Sequence, residues 1–155
     1  MSDDIKQWAG PIAPPDPAKL ADIYAISQLA KVYALGTDMR DPDLVLSCFA
    51  EDGVGEGKVG SAPLHDYLRA TYAGAAGFQA TQHTMLNQHV TVDGDEATMW
   101  TYAVAYHIRP AGDPDGNLTV GVQYRDKARR TDKCWIIYRR RAVMQWSEGK
   151  FPEMK

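Results

Sequence analysis

Three side chains, Tyr33, Asp38 and His83, have types and spacing that allow proton transfer without a cofactor. Histidine has its ordinary pKa nearest working pH, so a neutral His83 can serve as a base. Such a base needs an orienting carboxylate to fix its tautomer and stabilise the imidazolium, a task open to Asp38. Tyr33 could then donate a hydrogen bond to a substrate carbonyl or a leaving oxygen. Each residue also has a plainer reading. A single strand histidine is more often structural or at the surface. Asp38, within Gly36-Thr37-Asp38-Met39-Arg40-Asp41, could cap a following helix. A tyrosine at helical spacing is more often core.

These residues must be positioned by the surrounding elements. Pro11, Pro14, Pro15 and Pro17 exclude a regular helix or central strand, so residues 1–17 form an irregular arm, with Trp8 tucked against the body or a neighbouring subunit. From Ala18, the spacing of Leu20, Ile23, Ile26, Leu29, Ala30 and Tyr33 predicts a helix with one apolar stripe, ended by Gly36. A short helix follows over 43–49, with Asp41 as cap and Pro42 in its first turn, and Glu51-Asp52-Gly53 reads as a turn. A third helix over 62–72 carries Leu64, Tyr67 and Leu68 inward. The second half differs. Stretches 81–92, 97–109, 118–129 and 134–146 are rich in Val, Ile, Thr, Tyr and Trp, and read as long strands. Turn chemistry separates them at 92–95, 113–116 and 131–133. Helices first and long antiparallel strands after imply an α+β fold, a curved sheet with helices on its concave face, and a cone whose mouth is a natural ligand site.

At 155 residues, with 45% hydrophobic and 10% aromatic content, one domain with a substantial core is expected. Its bounds are 18–147, followed by a tail over 148–155. The net charge of −3 argues against nucleic acid as a partner. No apolar run approaches the ~20 residues that cross a bilayer, and no secretory signal opens the chain, so a cytoplasmic, membrane-free setting is expected. Cys48 and Cys134 are too few for a disulfide framework or zinc site, and burial as small apolar side chains is the better reading of both. Four scattered histidines offer no ligand spacing, so neither a metal nor another cofactor is expected. His65 and His89 read as surface or structural.

The order Ile26-x-x-Leu29-x-x-x-Tyr33-x-x-x-x-Asp38, Phe49-Ala50-Glu51-Asp52-Gly53, His83, Val92-Asp93-Gly94-Asp95 and Trp135 resembles the SnoaL-like branch of the nuclear transport factor two-like superfamily. The likeness runs from about Ala18 to Trp146. The fold hosts many activities, from dehydratases and isomerases to non-enzymes. Two dehydratases and a dehydrochlorinase of the branch place a histidine–aspartate pair at positions that correspond to His83 and Asp38. The resemblance thus implies elimination from a ring substrate after proton removal, with Tyr33 at the oxygen, and a homotrimer or homodimer built on the outer sheet face. One of these relatives has a second pocket histidine that falls at or beside His107. Another has a last-strand arginine where Met144 stands here; Arg140, on the same strand face, is the expected substitute. The arginine that precedes the final-strand tryptophan in the dehydrochlorinase corresponds to Arg129 or Arg130.

Strand parity sets Trp100, Tyr102, Val104 and Tyr106 on one face and Thr101, Ala103, Ala105 and His107 on the other, without saying which is inside. Met85, Val122, Tyr124 and Tyr138 are further candidates for the wall. The expected function is therefore a cofactor-independent, dehydratase-type lyase for a hydrophobic cyclic, steroid-, polyketide- or aromatic-like hydroxy compound. An isomerase or cyclase using the same pair, and a non-catalytic domain like a dioxygenase small subunit, are the rival readings.

Overall fold

Asp16 accepts a hydrogen bond from the Ala18 amide at 2.9 Å, and Pro17 fills the first turn behind it, which starts the helix that organises the fold. The computed structural model describes residues 3–57, 60–132 and 134–152. After a 3₁₀ turn at Asp3–Trp8 come α1 (Pro17–Asp38), α2 (Pro42–Leu46), β1 (Phe49–Gly57), β2 (Gly60–Pro63) and α3 (Leu64–Ala75). Four long strands complete the chain: β3 (Ala80–Asp93), β4 (Glu96–Ile108), β5 (Leu118–Arg130) and β6 (Trp135–Glu148). They form one six-stranded sheet in the order β2-β1-β6-β5-β4-β3, antiparallel except where β1 runs beside β6. This is the expected α+β architecture, with the helices packed on the sheet. Residues 1–2, 133 and 153–155, at the ends of the expected arm and tail and within one expected turn, lie outside the described residues.

Register shifts between Met85 and Gln88, Gly121 and Val122, and Lys127 and Ala128 let the long strands bend. The inner face then closes over Ile26, Ala30, Tyr33, Leu64, Tyr67, Met99 and Ile137. Helix α1 is tied to the far hairpin by Asp22, which accepts two hydrogen bonds from Arg130 and one from the Trp135 indole. Trp8 lies against the body, donating to Thr91 at 3.0 Å and meeting Trp100 edge-on.

Five local expectations need correction. Gly36 does not end α1, which continues to Asp38; a Cβ at position 36 would stand 2.9 Å from the Val45 amide nitrogen, so this glycine permits α1 and α2 to touch. The break follows at Arg40, in the left-handed region at φ 58. The expected helix over 43–49 stops at Leu46, capped as foreseen by Asp41 on the Leu44 amide. The residues read as a turn, Glu51–Gly53, lie inside β1. That strand is rich in glycine because Tyr67 packs on it: a Cβ at Gly55 would stand 2.6 Å from the Tyr67 ring. Leu20, placed on the apolar stripe, is half exposed, as is usual for the first turns of a helix that overhangs a sheet. Cys48 is buried, whereas Cys134 is exposed at the start of the last hairpin strand. Among the described residues, no helix is long and apolar enough to cross a membrane.

Candidate active site

Asp38 is the last residue of α1, and its helix rests on β3, so its carboxylate arrives beside Thr81 and His83. One oxygen, Oδ1, accepts from the His83 ring at Nδ1 (2.7 Å) and from the Thr81 hydroxyl (3.0 Å). The other, Oδ2, accepts the His83 backbone N–H at 2.7 Å. A helix C-terminus is a poor place for a carboxylate, since the peptide dipoles point their negative end there. The three donors answer this. Burial pushes the Asp38 pKa up, but the hydrogen bonds from His83 and Thr81 outweigh it and hold the group below its ordinary value. An ionised Asp38 fixes the proton on Nδ1 of a neutral His83 and leaves Nε2, across the ring, as the basic atom. The His83 side chain is 6% exposed and that of Asp38 24%.

The inner face of β4 is the small one. Ala103 and Ala105 are buried with Thr101, while Tyr102 and Tyr106 stand exposed outside. His107 therefore shares the inner side with His83, ring centroids 5.9 Å apart. Burial, then the neighbouring His83, lower the pKa of His107, so it is held neutral. Its Nδ1 is buried without a hydrogen-bond partner, one of two such side-chain atoms among the described residues. Phe78, from the segment between α3 and β3, covers it at 4.8 Å, and sequence reasoning gave no sign of that contact. Around Phe78, Arg40 donates to the Phe78 carbonyl and Arg109 lies 4.9 Å from the ring.

Tyr33 is buried next to the pair, its ring 6.1 Å from that of His83 and 5.6 Å from that of Tyr124. Beneath both tyrosines lies Arg140. Its Nε and Nη2 donate to Asp126 at 2.9 and 2.8 Å, and the whole ion pair is removed from solvent. Burial raises the Tyr124 pKa well above the ordinary value. Asp126 went unnoticed in the sequence, although it stands directly across from Arg140 in the sheet register. Met85, Val122 and Met144 share one cross-strand row through Ala103, Met144 being the exposed end.

Tyr138 is a correction. Its hydroxyl donates to Glu96, at the far end of β4, and its ring lies under Arg129, because the register shift between Lys127 and Ala128 turns it off the inner face. Arg129 and Arg130 likewise stay away from the pair, engaged with Asp52 and with Asp22 and Asp95. As alternation requires, Arg139 faces the other way and pairs with Glu56. His65 is structural, on the Phe49 carbonyl, and His89 is exposed beside Trp8. Two surface grooves, one of about 690 Å³ beside α1 and one of about 240 Å³ between α2 and α3, include neither His83 nor Asp38.

A family model described as a SnoaL-like domain matches residues 18–141. No curated protein matches by sequence. Among solved structures, the Kfla4162 protein of Kribbella flavida is 27% identical, with TM-score 0.75 over 83% of this chain and 93% of its own. A protein of Novosphingobium aromaticivorans described as a candidate scytalone dehydratase is 22% identical, with TM-score 0.76 over 87% of this chain and 91% of its own. A type 2 hexachlorocyclohexane dehydrochlorinase, 16% identical, shares the fold with TM-score 0.75 over 88% of this chain and 93% of its own.

Proposed function

Since the chain belongs to the SnoaL-like domain family, we propose that it is a cofactor-independent lyase that eliminates water from an uncharged, hydrophobic cyclic hydroxy compound. The observation that carries this reading is the hydrogen bond of 2.7 Å between Asp38 and Nδ1 of a nearly buried His83. Nε2 of His83 removes a proton from a carbon next to an electron-withdrawing group. The C–H electrons become the new double bond, the C–O bond breaks, and the departing hydroxyl leaves as water with the proton that His83 returns. Asp38 stays ionised and offsets the imidazolium charge while the proton is on the ring. Tyr33 hydrogen-bonds the oxygen on which charge develops. His107, neutral and with an unpaired buried nitrogen, and the apolar row Met85, Val122 and Met144 bind the ring. The names of two neighbours, a candidate scytalone dehydratase and a dehydrochlorinase, support an elimination. The exposed outer face of Tyr102, Tyr106, Ile108 and Trp146 supports a homodimer or homotrimer formed through that face.

The test is a panel of cyclic β-hydroxy ketones, with product mass as readout. Loss of one water, dependent on His83, is expected. A product of unchanged mass would replace elimination by isomerisation, and no turnover across steroid, polyketide and aromatic members would reject the reading.

A further inference from the structure

We propose that Arg140 is a positioning residue for Tyr33: held on its edge by Asp126, it sets its positive charge against the Tyr33 ring and makes that hydroxyl a stronger hydrogen-bond donor. The inference deepens the reading of Tyr33 as the donor to the substrate oxygen and rests on it. A fully buried arginine is an expensive way to fill a core, because its desolvation is only partly recovered from a buried partner. Here Asp126 satisfies Nε and Nη2, while Nη1 is buried with no hydrogen-bond acceptor at all. What surrounds the guanidinium instead is aromatic. Its carbon lies 4.3 Å from the Tyr33 ring centre, 4.4 Å from Tyr124 and 4.7 Å from Phe49. A cation against a phenol ring is drawn to its electron-rich face, and this attraction grows as the hydroxyl gives up its proton. Tyr33 is the ring of the three that also touches His83.

Among the described residues, Arg140 is the arginine or lysine whose charge lies against the Tyr33 ring. The groups around Tyr33 are His83 from β3, Tyr124 from β5, Phe49 from β1, Tyr67 from α3 and Arg140 from β6, with Asp126 of β5 behind Arg140. Asp126 opposes Arg140, so the two carboxylate states of position 126 give a test of sign.

The experiment places 3,5-difluorotyrosine at position 33, which titrates within the stable pH range, and follows its ionisation by fluorine NMR. Replacing the pair with apolar residues, Arg140→Met with Asp126→Leu, keeps a packed core and should weaken ionisation at position 33 about tenfold, the scale of a desolvated cation–ring contact. Asp126→Asn leaves the cation without its counter-charge and should strengthen it. Opposite shifts, with at least threefold change in the double variant, support the proposal. A change under threefold, or shifts of the same sign in both variants, overturns it; if Asp126→Asn does not fold, the double variant decides alone. Turnover separates this from the parent reading. If Tyr33→Phe leaves turnover untouched, the donor role of Tyr33 fails while these midpoints still report on Arg140.

Discussion

Asp38 holds His83 at two points, ring and backbone, with a separate oxygen for each. This double grip fixes the rotation of the imidazole as well as its tautomer, since a ring flip would break one bond without releasing the other. His83→Ala should therefore lower turnover by about 10²–10⁴-fold. Asp38→Asn should come close to it, because an amide can offer an N–H where Nδ1–H needs an acceptor. Circular dichroism should show both variants folded. Unchanged turnover in His83→Ala would remove the base.

The depressed pKa of Asp38 makes a prediction about acid stability. Its folded value lies below the unfolded one, so its contribution is fully present above the ordinary carboxylate value of about 4 and is lost as pH falls through the folded pKa. The difference in melting temperature between wild type and Asp38→Asn should be constant from neutral pH down to about 5 and shrink below 4. A difference that grows on acidification would contradict the hydrogen-bond scheme.

His107 predicts a slope of the same sign, in a higher pH window. Its folded pKa lies below the unfolded one, and its charged form is the disfavoured one, so the fold loses stability as pH drops through the ordinary histidine value of about 6.5. His107→Gln removes the titration and should flatten the stability profile between pH 6.5 and 5. Chemical denaturation at stepped pH measures it.

Breaking the interior ion pair from one side leaves a buried, uncompensated charge. Arg140→Met alone should cost about 3–5 kcal/mol, whereas the double change with Asp126→Leu should recover most of the loss. Urea midpoints of the single and double variants settle this. Equal losses in the two would show that packing, not charge, dominates at the site.

Acylation by diethyl pyrocarbonate reads out access to the histidines. His89 is exposed and should react first, while His83, nearly buried beside the His107 ring that Phe78 covers, should react slowly. Phe78→Ala should speed His83 several-fold and leave His89 unchanged. If His83 reacts as fast as His89 in the wild-type protein, the pair is already open to water.

The long strands were legible because their residues are β-branched and aromatic and their turns carry Asp-Gly signals. Strand β1 was not, since Glu51-Asp52-Gly53 and Gly55 have turn-like composition. Their place in a strand depends on Tyr67 needing flat backbone to rest on, a tertiary demand with no local mark. Likewise Gly36 reads as a helix end until Val45 is known to press on it. At the site, Tyr33, Asp38 and His83 were found by type and resemblance, and His107 by parity once the small face was known to be inside. Asp126 was hidden because an acid in a strand ordinarily faces water; only its register opposite Arg140 explains it. Tyr138 misled because a bulge of one residue reverses parity from that point on.

The clasp of Asp22 on Arg130 and Trp135 joins positions 108 and 113 residues apart. A ribosome releases α1 first, and α2 and β3 then give it a surface to rest on, but the residues that clasp Asp22 come last. The Asp22 end of the helix that carries Tyr33 and Asp38 must wait for the last hairpin, and closing so wide a loop is slow. Nascent chains halted before Trp135 should hold α1 unclasped at its Asp22 end, a species that invites chaperones.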